Sequence, residues 1–247
     1  MLNVKNITVL AGEGERSKKI IDNLSLEVVA QGETVVILGP NGAGKSTLGA
    51  AMMGDPKLKI TEGEIRFFDE NITNMKVDER ARLGMMMTMQ NPVEVPGIST
   101  TNVIRAALNA RGENLSLDKI REQISVVCKK LKTNIFFAER EINYKFSGGE
   151  KKKNEIIQAL VLKPKLLILD EIDSGLDVDA ADLISGALKE LQENEKTALL
   201  IITHNMRILK KLKVDKVYIL KSGEIVKTGN RELLDLIEKN GYEGIKE

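Results

Sequence analysis

The run Gly39-Pro40-Asn41-Gly42-Ala43-Gly44-Lys45-Ser46 is a glycine-rich loop closed by a lysine and a hydroxyl. It lies between an aliphatic stretch, Thr34 to Leu38, and a helical pattern, Lys45 to Met53. Glycines let successive backbone N–H groups turn inward around an anion, and the helix that follows presents its positive N-terminus to the same anion. Lys45 would then reach the β- and γ-phosphates of a nucleotide, the Ser46 hydroxyl would ligate Mg²⁺, and Thr47 completes the cradle. The plainer reading is a tight turn before a helix, which does not account for the lysine and hydroxyl together.

A second set of chemistry-bearing residues lies far along the chain. Leu166-Leu167-Ile168-Leu169-Asp170-Glu171 is an aliphatic strand ending in two carboxylates. Such strand ends are where ligands bind in open parallel sheets. Asp170 would hold the Mg²⁺ shell, partly through water, and Glu171 would act as general base on the attacking water. Alone, the pair also reads as the solvated start of a helix. Phe146-Ser147-Gly148-Gly149-Glu150 precedes a helical stretch, Lys151 to Leu160, so Ser147, Gly148 and Gly149 form either a second phosphate cradle or an ordinary serine N-cap. His204, after the strand Thr197 to Thr203, can hydrogen-bond a γ-phosphate or simply be packed or exposed. Gln90 is placed to sense both Mg²⁺ and the nucleophile, or is a polar strand end. Met85, Met86, Met87 and Met89 read as core filling, because consecutive strand residues face opposite ways and cannot converge on a soft metal.

These residues need elements to position them. Apolar runs at Thr34 to Leu38, Leu166 to Leu169, Thr197 to Ile202 and Lys216 to Leu220 read as strands buried on both faces. Helical patterns at Lys45 to Met53, Ala180 to Leu191 and Asn205 to Leu212 alternate with them, giving an α/β core with a mostly parallel sheet. Leu2 to Val29 and Gly63 to Asp69 alternate like antiparallel strands, with Gly12-Glu13-Gly14 as a polar loop. From Asn91 to about Asn143 the pattern is mostly helical, best at Asn102 to Ala110 and Leu117 to Leu131, which reads as an inserted helical subdomain. The expected organisation is a single domain over 1–247. Its catalytic core spans 1–90 and 164–247 with the antiparallel subdomain, and its helical subdomain spans 91–163.

Composition narrows the partners. The 247 residues carry 37 Lys+Arg against 36 Asp+Glu, a net charge of +1, so nothing overall draws the chain to nucleic acid or an anionic membrane. No apolar run is long enough for direct membrane insertion, and the start has no apolar signal-peptide region. One cysteine, Cys128, and one histidine exclude an intramolecular disulfide and any zinc site built from several Cys and His ligands, which points to a reducing cytoplasmic setting.

The order phosphate loop, glutamine, helical insertion, Ser-Gly-Gly-Glu, carboxylate strand, Ser174-Gly175-Leu176-Asp177 and histidine resembles the ATP-binding-cassette (ABC) ATPases over essentially the whole chain. The resemblance implies a RecA-like core, ATP and Mg²⁺ as cofactors, Ser147 to Glu150 as the signature segment, and Asp177 in a loop communicating between paired sites. It also implies an ATP-dependent homodimer in which one copy's Ser147 to Gly149 closes on nucleotide held by the other copy's Lys45. A narrower resemblance, to the SufC family of soluble cassette ATPases in Suf iron–sulfur cluster assembly, is carried by several segments. They are Gly54-Asp55-Pro56, Asp78 to Arg82, Pro92 to Gly97, Phe146 to Lys152, Asp173 to Ala180 and the tail Gly241-Tyr242-Glu243. It implies SufB- and SufD-like partners. Other readings of the same motifs are the ATPase subunit of a membrane transporter and a nucleotide-dependent scaffold that binds ATP and barely turns it over. Lys152 and Asp173 are expected either to form ion pairs that hold Glu171 off the water or to be solvated surface charges.

Overall fold

The computed structural model describes residues 1–12, 14–204 and 206–241. The chain opens with β1 (Leu2–Ala11), β2 (Lys18–Val28), β3 (Thr34–Leu38), α1 (Lys45–Met53), β4 (Leu58–Phe67), β5 (Glu70–Asn71), α2 (Val77–Arg82) and β6 (Met85–Thr88). There follow β7 (Val95–Ser99), α3 (Thr100–Ala110), α4 (Leu117–Lys130), α5 (Phe136–Glu139), β8 (Glu141–Ile142) and α6 (Gly148–Leu162). The last part comprises β9 (Leu166–Asp170), α7 (Val178–Asn194), β10 (Ala198–Ile202), β11 (Lys216–Lys221), β12 (Glu224–Gly229) and α8 (Arg231–Asn240).

The main sheet has the order β12-β11-β3-β10-β9-β6, parallel throughout except for the antiparallel edge strand β12. Every residue of β3, β9 and β10 is buried. Their side chains divide with the period of two that a strand imposes. Val36, Leu38, Leu167, Leu169, Leu199 and Ile201 join a core with residues of α4, α6, α7 and α8. Val35, Ile37, Leu166, Ile168, Leu200 and Ile202 join a second core with Leu48 and Met52 of α1 and the inner face of the antiparallel sheet β2-β1-β4-β5. Helix α1 is therefore enclosed between two sheets, which holds the loop before it rigidly. The methionines obey the same rule: Met86 packs on the first core and Met87 on the second, while Met89 is exposed and is not core filling.

Helix starts follow the sequence closely. Ser99, Ser116, Ser147 and Asp177 each cap a helix by accepting a backbone N–H through the side chain. Helix α6 stops at Lys163 in the left-handed conformation, followed by Pro164, which cannot continue a helix.

One expectation is corrected. The stretch Asn205 to Leu212 is not an α-helix: a single 3₁₀ turn, Met206–Leu209, is all that forms among its described residues. Ile208, Leu209 and Leu212 are wholly buried against the first core, and that packing, not helical periodicity, set the apolar spacing. The insertion is mostly helical as expected, with one short antiparallel pair, β7 and β8, inside it, Val95 opposite Ile142. Glu13 of the polar loop, Asn205 and the tail residues 242–243 lie outside the described residues. No described helix is long and apolar enough to cross a membrane.

Candidate active site

Strands β3, β10, β9 and β6 lie side by side and parallel, so their carboxyl ends gather along one rim of the sheet. Ile202 is in register with both Ile37 and Asp170, and Thr88 with Leu169. Each of the four chemistry-bearing segments leaves one of these strand ends, as ligand sites in open parallel sheets require.

The glycine loop leaves β3 and enters α1 through Gly44, whose φ of 101° belongs to the left-handed region that favours glycine. At Gly39 a Cβ would lie 2.0 Å from the Leu220 carbonyl, so the loop passes too close to β11 for any other residue. Lys45 is buried, and its ammonium donates to the carbonyls of Gly39 (2.9 Å) and Pro40 (3.0 Å), folding back over the loop. Burial lowers its pKa, opposed by the nearby Glu171 and Asp170. Ser46 and Thr47 stand half-buried in the first turn of α1, and Pro40, Asn41 and Gly42 are exposed at the mouth, with Ala43 buried beneath them.

Ser46 Oγ donates to Asp170 Oδ1 at 3.0 Å, and the Asp170 backbone N–H donates to Thr88 Oγ1 at 3.2 Å. Burial raises the Asp170 pKa, so a cation beside it would relieve the cost of its charge. The donor set fits magnesium bound to a polyphosphate: a hydroxyl and a carboxylate already together, with an ammonium close by and a loop of backbone N–H groups in front.

Glu171 follows directly, with a φ of 47°, an uncommon and strained backbone for a residue with a side chain. Its N–H donates to the Ile202 carbonyl at 2.9 Å and its own carbonyl accepts from Lys152 Nζ at 2.8 Å, so both sides of the strained residue are tied down. The carboxylate receives a hydrogen bond from Gln90 Nε2 at 2.8 Å on Oε2, while His204 Nδ1 lies 3.5 Å from Oε1. The fold thus brings Gln90, Glu171 and His204 together, from β6, β9 and β10. The solvated-helix-start reading of Asp170-Glu171 fails, because Asp170 is buried and the Glu171 side chain nearly so.

Ser147, Gly148, Gly149 and Glu150 form the start of α6, the helix whose Lys152 reaches the Glu171 carbonyl. Ser147 and Glu150 form a reciprocal capping box at the start of α6, with Ser147 and Gly148 exposed and open space where a Gly148 Cβ would stand. Asp177, likewise exposed, caps α7 by accepting from the Ala180 N–H at 2.7 Å. Serine cap and outward-facing anion cradle are therefore compatible readings of one helix start.

The expectation for Lys152 and Asp173 is corrected in both its forms. Lys152 is buried, not solvated, and it donates to the Glu171 carbonyl and to the carbonyl and hydroxyl of Ser174 instead of pairing with Asp173. Asp173 is buried and accepts from Thr203 Oγ1. Sequence reasoning also passed over Thr88, Thr203 and Glu155. The signal for Glu155 was present as a polar run, Lys151 to Glu155, entering an otherwise apolar helix whose buried face includes Lys152, Asn154 and Glu155.

Residues 21–174 match the family described as ABC transporter. The chain is 41% identical over 233 residues to vegetative protein 296 of Bacillus subtilis (strain 168), covering 93% of this chain and 88% of that protein. It is 43% identical over 248 residues to the probable ABC transporter ATP-binding protein SpyM3_0208 of Streptococcus pyogenes serotype M3, covering 99% and 94%. Among solved structures, the fold is similar to the ATP-binding cassette MJ0796 in a dimeric post-hydrolysis state bound to ADP and Pi. The TM-score is 0.80 at 24% identity, covering 93% of this chain and 98% of that one.

Proposed function

The chain belongs to the ABC transporter family as a P-loop ATPase that binds ATP with Mg²⁺ and hydrolyses it, and from that premise we propose that it is the soluble ATPase of an iron–sulfur cluster assembly machine. In this reading it dimerises on ATP in the cytoplasm and drives conformational change in SufB- and SufD-like partners. The observation that carries the assignment is the segment Phe146 to Lys152 together with Asp173 to Ala180, whose resemblance is to the SufC family. The contacts of Lys152 with Glu171 and Ser174 join those two segments physically.

The geometry supports the following roles. Gly39 to Thr47 binds the phosphates, Lys45 exchanging its loop carbonyls for phosphate oxygens. Bound Mg²⁺ supplies charge neutralisation, and Ser46 and Asp170, with Gln90 partly through water, would hold it. Glu171 takes the proton of the attacking water, while His204 orients the γ-phosphate. Ser147 to Glu150 and Asp177, exposed on this protomer, serve the site of a second copy.

Partner docking near Gln90 is supported by the exposed Met89 and Val93, 52% and 60% accessible, in the segment that follows β6. The names of the Streptococcus relatives favour a second reading, an ATPase subunit docked on a transporter by the same surface. Affinity capture from the native organism without oxygen separates the two. Co-purification of soluble SufB- or SufD-like chains is expected; recovery of an integral membrane protein alone, requiring detergent, favours the transporter.

A further inference from the structure

We infer that Glu155 is a positioning residue that fixes Gln90 against Glu171 by anchoring the backbone of Met89 to α6. This rests on the reading of Gln90 and Glu171 as members of the hydrolytic site.

Glu155 Oε1 accepts the Met89 N–H at 2.9 Å. Met89 is the first residue beyond β6 and immediately precedes Gln90, whose amide donates to Glu171 at 2.8 Å. Residues 89–97 are largely exposed, so side-chain packing does little to hold Gln90 in place. The Glu155 hydrogen bond does so from below. Lys152, three residues earlier on the same helical face, donates to the Glu171 carbonyl. Helix α6 therefore grips both sides of the Gln90–Glu171 contact, and the same helix begins at Ser147.

The anchor is maintained against an energetic cost. Glu155 is 8% accessible, and its Oε2 is buried without a hydrogen-bond partner among the described residues. An apolar side chain would fill that space without desolvating a carboxyl, but would give the Met89 N–H no acceptor. Because Oε1 accepts as either a carboxylate or a carboxylic acid, the anchor is independent of protonation.

The test measures kcat and KM for MgATP on the full chain, with folding followed by thermal melts. Glu155→Met should lower kcat about tenfold or more with KM changed less than about twofold, whereas Glu155→Gln, which keeps the acceptor, should stay within about twofold of wild type. In a Gln90→Ala background, Glu155→Met should cost nothing further, because a purely structural lesion would add to the first loss while a positioning role is already spent. Should Glu155→Met not fold, Glu155→Asp replaces it: one methylene shorter, it leaves Met89 out of reach and should show the same loss. A folded Glu155→Met or Glu155→Asp variant at the wild-type rate, when Gln90→Ala is slow, overturns the proposal, as does full additivity with Gln90→Ala. Gln90→Ala at the wild-type rate overturns the underlying reading of Gln90, and the proposal with it.

Discussion

Ser46 Oγ and Asp170 Oδ1 lie 3.0 Å apart, joining the first turn of α1 to the end of β9 across 124 residues of chain. The contact assembles a hydroxyl and a buried carboxylate at the rim where four parallel strands end. Their orientation is set before any ligand arrives, because α1 is held between two sheets and Asp170 is fixed through its own N–H to Thr88. Preorganisation of this kind spares the cost of ordering the groups at the moment of binding.

Ser46→Ala should therefore raise the Mg²⁺ concentration needed for half-maximal ATP hydrolysis by about tenfold or more, since one ligand and the partner orienting the other are both lost. Nucleotide binding in the absence of metal should change little, as Lys45 and the glycine loop are intact. Magnesium titrations of hydrolysis, paired with metal-free nucleotide calorimetry, check both halves. An unaltered magnesium requirement would remove Ser46 from the metal site.

Arg80 carries a different kind of burden. It is 1% accessible, and its guanidinium donates to the carbonyls of Met75, Ala51, Met52 and Thr73. Two of these belong to the last turn of α1, so the charge also faces the negative end of the helix that carries Lys45. Burial lowers its pKa to about 10, far enough above neutrality to keep the cation. Arg80→Met should destabilise the chain by about 3 kcal/mol in urea unfolding, by leaving buried carbonyls unpaired, and Arg80→Lys should recover only part. A loss below about 1 kcal/mol would mean that those carbonyls find other partners.

Much of this architecture is legible in the sequence because local signals agreed with tertiary demand. Helix α1 and strand β3 fall on the expected residues, since an all-apolar strand, a glycine turn and a helix start coincide there. Gln90, Asp170, Glu171 and His204 are legible for a related reason: strand ends in a parallel sheet have only one rim to reach. Polar side chains on buried faces are not legible in the same way. Lys152 and Glu155 enter α6 in a run that reads as solvated charge, and only the loops folded over that helix, carrying Ser174 and Met89, turn them inward. Met206 to Leu209 failed for the opposite reason, as buried apolar residues in a short turn imitate a helical stripe.

Glu171→Gln preserves size and an acceptor for the Gln90 amide while removing the proposed base. ATP should still bind, and hydrolysis should fall by about a hundredfold or more. In the proposed dimeric site the exposed Ser147 and Gly148 serve the nucleotide of a second copy, so blocked hydrolysis should also accumulate a two-fold dimer with ATP and not with ADP. Light scattering coupled to size exclusion reads the mass directly. A variant that hydrolyses at the wild-type rate removes Glu171 as the base, and one that stays monomeric with ATP bound refutes the dimeric site.

Glu155 gives the protein a pH-dependent stability of defined sign. Burial raises its carboxyl from 4.5 to about 7, opposed by the Met89 N–H and by Lys152. Below pH 4.5 the folded and unfolded chains both hold the proton, and the residue costs nothing electrostatically. Between 4.5 and about 7 the unfolded chain ionises while the folded one does not, so stability falls as pH rises. Above about 7 both forms are charged and the cost levels off. Asp170 and Asp173 are also raised by burial and act in the same direction, so the wild-type curve alone does not isolate Glu155. The difference between wild type and Glu155→Gln does, because the amide keeps the Met89 contact and cannot ionise. Relative to its value at pH 5, the stability advantage of Glu155→Gln should grow by about 2–3 kcal/mol at pH 8, read from urea unfolding at each pH. A difference that does not change between those pH values would mean that the Glu155 carboxylate is solvated in the folded chain.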